Sequence, residues 1–145
     1  MSVGRICSRV VVTASPNENI TTAARRMADQ DVGTLVVVEG GHPQKAVGIL
    51  TDRDIVIRSV ARRLNPIETE IVDVMSSPVH TIDEHTPIED AVARMGRAAT
   101  RRLVVTGQDN SVVGLLSIDD ILDVVVAETE AIGRLLQQQK PRIPA

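Results

Sequence analysis

The fold of this chain is decided by an eight-residue stretch, Gly48-Ile49-Leu50-Thr51-Asp52-Arg53-Asp54-Ile55. An apolar run leads into it, a hydroxyl stands at Thr51, and a carboxylate follows three residues later at Asp54. The same succession of residue classes returns as Gly114-Leu115-Leu116-Ser117-Ile118-Asp119-Asp120-Ile121. A hydroxyl followed at the third position by an acid is typical of a helix capping box. The repeated stretch therefore predicts two equivalent strand-to-helix junctions.

Both halves of the chain show the same order of predicted elements. In the first half, valine-rich runs at 10–12, 35–38 and 46–50 predict buried strands, and apolar residues on one face predict a helix over 20–28. A second helix is predicted after Thr51, so the order is strand, helix, strand, strand, helix. The second half repeats this order. The halves align through the pairs Thr13/Thr81, Met27/Met95 and Thr51/Ser117.

The pattern predicts an α+β fold made of two β-α-β-β-α units. We place the first unit at 4–62 and the second at 73–130, joined by a polar linker at 63–72 that has no core of its own. A unit of about 60 residues is marginally stable alone, so we expect the units to pack together with pseudo-twofold symmetry. Residues 131–145 predict a C-terminal helical extension and a tail that is disordered from Pro141. The leucines of this extension could pack on the same chain or on a second chain.

The composition narrows the classes of function. The chain is 43% hydrophobic and 24% charged, which is ordinary for a soluble globular protein. It has no Phe, Trp or Tyr on which bases could stack, and its net charge of −3 argues against a nucleic-acid partner. No apolar run is long enough to span a membrane, and Met1 to Arg5 lead into no signal core, so we expect a cytoplasmic protein. Cys7 is the one cysteine and can form no internal disulfide.

The motif and its repetition resemble a known family, the cystathionine-beta-synthase (CBS) domain. Its hallmark is a β-α-β-β-α unit in tandem pairs, with a glycine in the third strand followed by Thr or Ser, two residues, and Asp. Residues 48–55 and 114–121 both match this pattern, and the resemblance covers roughly residues 4–130. It implies a compact module with two clefts related by pseudo-symmetry, which often pairs into a flat, disc-like dimer. In the family, the clefts often bind AMP, ADP, ATP or S-adenosylmethionine.

Thr51 with Asp54, and Ser117 with Asp120, allow two interpretations. Each pair is explained without any ligand by a helix capping box, in which the acid also suits the helix dipole. The same geometry at a cleft lets the carboxylate accept hydrogen bonds from the two hydroxyls of a ribose, next to a helix N-terminus that tolerates phosphate. From the residues alone the capping box is the simpler interpretation, and the resemblance favours nucleotide binding.

The resemblance also implies contacts for the phosphates and the adenine. Arg101 and Arg102, just before a predicted strand, are similar to a basic pair that contacts phosphate in many family members, and the first half has Gly33 and Thr34 instead. We therefore expect one phosphate-competent cleft, the one that holds Asp54; two solvated arginines are the alternative. Without aromatic rings, the adenine must lie among aliphatic groups and strand starts. The candidates are Thr13, Ala14, Thr81, Ile82, Val36 and Val104.

The function that follows is a regulatory module that binds an adenine nucleotide or other adenosyl ligand between its repeats. The ligand would shift the conformation of the module, or of its homodimer, toward a protein partner in trans. The alternative is a ligand-free module for dimerisation or interaction. His42, His80 and His85 form no familiar metal or catalytic motif with Cys7, so we expect neither an enzyme nor a required cofactor.

Overall fold

Two three-stranded sheets form the framework, and each is built from one half of the chain. The computed structural model describes residues 1–139 and Pro141. In each sheet the long middle strand pairs with a short parallel strand on one side and an antiparallel strand on the other. The first sheet contains β1 (Thr13–Ala14), β2 (Thr34–Glu39) and β3 (Lys45–Thr51). The second contains β4 (Thr81–Asp83), β5 (Arg102–Thr106) and β6 (Val112–Ser117).

The helices complete the predicted β-α-β-β-α order in both halves, which confirms the α+β fold. A short helix precedes the first sheet, and one helix in each half links the parallel strands. The helix after β3 changes to a π-helical turn, whereas the helix after β6 continues for 21 residues. The bounds are α1 (Val3–Ile6), α2 (Ile20–Gln30), α3 (Asp52–Ile55) with its π-turn (Val56–Val60), α4 (Ile88–Ala98) and α5 (Ile118–Gln138). Two 3-10 turns lie at Ile71–Asp73 and Gln108–Asn110.

In each half, the segment before the first strand packs on the sheet of the other half. Ser8 and Leu115 exchange backbone hydrogen bonds of 3.0 and 2.9 Å, and Ile49 and Ser76 exchange bonds of 3.0 and 2.8 Å. The side chains follow the backbone, since Val3 and Cys7 lie in the core of the second half. This reciprocal exchange ties the two halves into one body.

The prediction of a linker without core residues is wrong for Ile71. Its side chain is fully buried in the core of the first half, together with Val74. Its backbone N–H donates to the carbonyl of Glu18 at 2.9 Å. The physical reason is the exchange described above, because the chain must return to the first sheet before it starts the second. The other predicted unit boundaries remain predictions.

A third cluster of aliphatic side chains joins the two sheets. Val36, Val38 and Val104 are buried there, with partly buried neighbours from both hairpins.

The C-terminal helix α5 continues well beyond the core. Of the residues that the structure describes, no helix is long and apolar enough to cross a membrane. The disorder predicted for 141–145 falls, apart from Pro141, outside the described residues.

Candidate functional site

Thr51 begins α3 and forms the predicted capping box with Asp54. The Thr51 hydroxyl accepts the Asp54 N–H at 3.1 Å, and the Thr51 N–H donates to Asp54 Oδ2 at 3.0 Å. These bonds fix the rotamer of a carboxylate whose side chain is only 14% exposed. Oδ1 takes no part in the capping box. Capping and ligand binding are therefore compatible, since each uses a different oxygen of the same carboxylate.

Ser117 and Asp120 repeat this arrangement at the start of α5. The Ser117 N–H and hydroxyl donate to Asp120 Oδ2 at 2.7 and 2.8 Å, and the Asp120 N–H donates back to the hydroxyl oxygen at 3.2 Å. The two junctions predicted from the repeated stretch are thus both formed.

The motif glycines make room for the exchanged segments. A Cβ added at Gly48 would lie 2.5 Å from Met75 Sδ and 3.0 Å from the Ser76 carbonyl oxygen. A Cβ added at Gly114 would lie 2.7 Å from Cys7 Sγ. The close approach at each glycine comes from a leading segment of the chain itself, so the glycines serve the assembly of the halves.

A cavity of about 140 Å³ opens beside the first junction, between the two halves. We call it the Asp54 cleft. Thr51 and Asp54 form its first wall, and the second half supplies the opposite wall. The lining residues are Ile49, Thr51, Asp54, Ser76, Pro78, Val79, His80, Thr100 and Arg102. An adjoining cavity of about 390 Å³ shares Ser76, Pro78, His80 and Thr100 with it, so the combined space falls in the usual range of small-molecule sites, about 300–1,000 Å³.

One arginine, Arg102, lines the Asp54 cleft, and a second, Arg58, lines the adjoining cavity. Arg58 Nη2 lies 3.8 Å from Asp54 Oδ1, and Arg58 Nη1 donates to the Val74 carbonyl at 3.0 Å. Arg102 lies across the cleft, and its guanidinium forms no ion pair with any residue that the structure describes. The cleft thus presents a fixed carboxylate on one wall and an uncommitted cation on the other.

Arg101 does not join Arg102 in this cleft, contrary to the sequence expectation. Its guanidinium lies 3.9 Å from Asp119 Oδ1 in an exposed pair, and it does not line the Asp54 cleft. Successive residues at the start of a strand point to opposite sides of a sheet, so only one of the two arginines can face the cavity.

The pseudo-symmetric counterpart is a cavity of about 220 Å³, which we call the second cleft. It is lined by Ser8, Val10, Val11, Val12, Val32, Gly33, Thr34, Val36 and Leu115, and it does not reach Ser117 or Asp120. Position by position, Thr34 stands where the Asp54 cleft has Arg102, and Val12 stands where it has His80. The second cleft therefore has a mainly apolar lining and no cation.

The residues predicted for the adenine slots lie mostly elsewhere. Ala14 and Ile82 are buried in the two cores, Thr13 lines a separate cavity, and Thr81 pairs with Val104 in the second sheet. Of the predicted apolar walls, Val36 lines the second cleft, and Val104 is buried between the sheets.

The clefts are instead lined by the segments just upstream of β1 and β4. Val79, His80 and Thr100 were missed by the sequence analysis. A comparison of the two repeats position by position could have found His80, since a histidine replaces an aliphatic residue at one of two equivalent positions.

Among the residues that the structure describes, the other reactive groups form no competing site. Burial raises the pKa of the Cys7 thiol, which keeps it protonated and unreactive. Within residues 1–139 and Pro141, no group of three His, Cys, Asp or Glu side chains could hold a metal ion. A further cavity of about 700 Å³ between the hairpins includes Arg9, but that guanidinium is committed to Glu84 at 2.8 Å.

Comparison with known proteins agrees with the repeated architecture. The CBS domain matches residues 3–60 and again residues 71–127. The chain belongs to the CBS domain family. It is 36% identical over 111 residues to the CBS domain-containing protein YhcV of Bacillus subtilis, which covers 77% of this chain and 76% of that protein. An uncharacterized protein of Methanopyrus kandleri is 35% identical over 124 residues, which cover 86% of this chain and 62% of that protein.

A solved structure of a CBS domain protein is a complex with AMP. A CBS domain protein of Pyrobaculum aerophilum, complexed with AMP, superposes with a TM-score of 0.73 at 28% identity. The match covers 83% of this chain and 89% of that protein. The tandem CBS pair predicted from the sequence is therefore confirmed at the level of family and fold.

Proposed function

We propose that this CBS pair is a regulatory module that binds an adenine nucleotide in the Asp54 cleft. The observation that carries the proposal is the meeting of Thr51, Asp54 and Arg102 around one cavity that has walls from both halves. AMP, ADP and ATP fit this chemistry, because each combines a ribose diol with a phosphate. The AMP complex of the Pyrobaculum aerophilum protein supports the choice of ligand class.

Each chemical group of the nucleotide has a partner in the cleft. Asp54 Oδ1, which lies outside the capping box and 3.8 Å from Arg58 Nη2, can accept hydrogen bonds from the ribose hydroxyls, and charged hydrogen bonds of this kind contribute about 1.5–3 kcal/mol each. The Arg102 guanidinium can bind a phosphate in a two-pronged geometry. Ile49, Pro78 and Val79 provide an apolar surface for the base. The site is therefore complete without an aromatic side chain.

The second cleft suits a ligand without phosphates, if it is occupied at all. Its lining is mainly aliphatic and contains no arginine. Of the predicted ligands, S-adenosylmethionine is the one without a phosphate. It therefore suits this cleft better than AMP, ADP or ATP does. We therefore propose one nucleotide per chain.

Regulation follows from the position of the Asp54 cleft between the halves. A ligand that contacts Asp54 on one half and Arg102 on the other favours the arrangement in which both are within reach. The change in the populations of the two arrangements is limited by the difference between the ligand's affinities for them. We propose that a protein partner in trans reads this shift, that the module works as a homodimer in the cytoplasm, and that it performs no catalysis.

A ligand screen by thermal unfolding tests the proposal. A nucleotide present at 100 times its Kd stabilises the folded state by about 2.7 kcal/mol, which for a chain of this length raises Tm by about 9 °C. AMP, ADP, ATP and S-adenosylmethionine are compared with inorganic phosphate. If none of the adenosyl ligands raises Tm at millimolar concentration, the module is the ligand-free interaction domain of the alternative interpretation.

The neighbouring arginines supply a matched pair of variants. Arg102→Ala removes the proposed phosphate contact and weakens AMP binding about 10–100-fold. Arg101→Ala removes the same charge outside the cleft and leaves the Kd within about twofold. Equal losses in both variants would mean that general electrostatic attraction, and not a contact in the cleft, holds the phosphate.

A further inference from the structure

The two clefts are lined by equivalent positions of the two repeats, and some of these positions differ in chemical class. The pairs that keep their class are Ser8 with Ser76, Val10 with Pro78, Val11 with Val79, and Leu115 with Ile49. The pairs that differ are Val12 with His80, Val32 with Thr100, and Thr34 with Arg102. The fold accepts an aliphatic or small side chain at each of these positions. The polar residues of the Asp54 cleft therefore need a reason beyond the fold.

Thr100 has a structural role that His80 lacks. The Thr100 hydroxyl donates to the Arg102 carbonyl at 3.1 Å and accepts the Arg102 N–H at 3.3 Å, which holds the start of β5. The carbonyl of His80 accepts the Val104 N–H at 3.0 Å, but the carbonyl of Val12 accepts the Val36 N–H at the same distance. The backbone bond thus does not require a histidine.

The side chain of His80 is available to a ligand. It is exposed, and its imidazole forms no ion pair with any residue that the structure describes. His80 lines both the Asp54 cleft and the adjoining cavity of about 390 Å³. An anion that extends from one cavity into the other therefore passes this imidazole.

The charges around His80 leave a phosphate only partly neutralised. The ionisable residues that face it come from α3, its π-turn and β5, and they are Asp54, Arg58 and Arg102. The end of α4 contributes no ionisable group to either cavity. Arg58 lies 3.8 Å from Asp54 Oδ1 and donates to the Val74 carbonyl and the Ser76 hydroxyl, so Asp54 and Arg58 offset each other. Arg102 then supplies one positive charge against a phosphate monoester of about −1.5 to −2 at pH 7.

We propose that His80 is the second cation of the Asp54 cleft, and that its protonated imidazole binds the nucleotide phosphate beside Arg102. The proposal rests on nucleotide binding in this cleft. Histidine is the side chain that ordinarily changes its charge between pH 5 and 8, whereas carboxylates and guanidinium groups ordinarily keep theirs. A phosphate binds the protonated imidazole more tightly than the neutral one. His80 therefore increases the affinity for AMP as the pH falls from 8 to 6.

Calorimetric titration of AMP at pH 8 and pH 6 tests this role with wild type, His80→Gln and His85→Gln. The phosphate of AMP itself takes up a proton near pH 6, so the informative quantity is the ratio of the variant Kd to the wild-type Kd at the same pH. For His80→Gln this ratio is expected to rise about fourfold between pH 8 and pH 6. His85 lines neither cavity, and for His85→Gln the ratio is expected to stay constant within about twofold.

His80→Lys keeps a positive charge at both pH values and separates charge from a merely structural role. It is expected to bind AMP more tightly than wild type at pH 8 and to lose most of that advantage at pH 6. A ratio for His80→Gln that does not change with pH, or an equal rise for His85→Gln, would overturn the role of His80 and leave nucleotide binding intact. No binding of AMP by wild type at either pH would overturn both proposals.

Discussion

Replacing Gly48 with alanine tests the reciprocal exchange of segments, on which the Asp54 cleft depends. The new Cβ would lie 2.5 Å from Met75 Sδ and 3.0 Å from the Ser76 carbonyl oxygen, whereas carbon atoms pack comfortably at about 3.5–4.0 Å. The thioether can swing away. The Ser76 carbonyl cannot move freely, because it accepts the Ile49 N–H at 3.0 Å.

The expected cost of Gly48→Ala is that of overpacking a well-filled site, about 2 kcal/mol. For a chain of this length this lowers Tm by about 7 °C. Adding Met75→Ala should relieve the sulfur contact, so the double variant is expected to be more stable than the sum of the single changes predicts.

Thermal unfolding by circular dichroism measures these changes. Gly96→Ala is the control, because a Cβ there meets nothing within 4 Å on an exposed part of α4. In a helix, alanine is favoured over glycine by about 0.5–1 kcal/mol, so this variant should melt slightly above wild type. If Gly48→Ala also melts at or above the wild-type temperature, the exchanged segment does not lie over Gly48 as described.

Two further predictions concern stability. Ile71→Ala should lower the free energy of unfolding by about 2–5 kcal/mol, because the side chain is fully buried. Val72→Ala, at a site that is 45% exposed, should lower it by well under half as much. Equal losses in urea unfolding would show that Ile71 does not lie in the core. The Arg26 guanidinium donates a hydrogen bond that lowers the pKa of Glu18, so this pair stabilises the fold fully above the unfolded pKa of about 4.3. That contribution is lost as the pH falls through the lower folded pKa. The stability difference between wild type and Glu18→Gln should therefore be constant from pH 6 to 8 and shrink on acidification below about pH 4, and a difference that grew on acidification would contradict the assigned direction.

The fold could be predicted because two features of the sequence agree. The repeated stretch and the repeated order of predicted strands and helices both indicate two equivalent units. The capping residues Thr51 and Ser117 mark where each helix begins, and the spacing between them fixes the size of the unit. The exchange of leading segments was beyond the reach of periodicity. A short apolar segment such as the one around Cys7 has the same pattern on whichever sheet it packs. Cys7 and Met75 occupy equivalent positions in the two repeats, but the meaning of that equivalence depends on the three-dimensional position of the glycines.

The candidate site could be predicted in part. Asp54 was found because its role in the capping box is local, and Arg102 because the family resemblance implied a basic pair just before the strand. The inclusion of Arg101 ignored the alternation of side chains along a strand. Val79 and His80 precede β4, the strand in which the adenine slot was predicted. They reach the Asp54 cleft because the segment before β4 packs on the sheet of the first half. Local patterns do not encode that packing.

The central claim, one nucleotide bound in the Asp54 cleft, is tested most directly by calorimetric titration of AMP into three proteins. Asp54→Asn and Asp120→Asn make the same isosteric change in the two capping boxes, and the amide oxygen can still accept the backbone N–H of the cap. We predict one AMP per chain for wild type and for Asp120→Asn, and binding weakened about 10–100-fold for Asp54→Asn. Unchanged binding by Asp54→Asn, or a loss confined to Asp120→Asn, would contradict the assignment of the nucleotide to the Asp54 cleft.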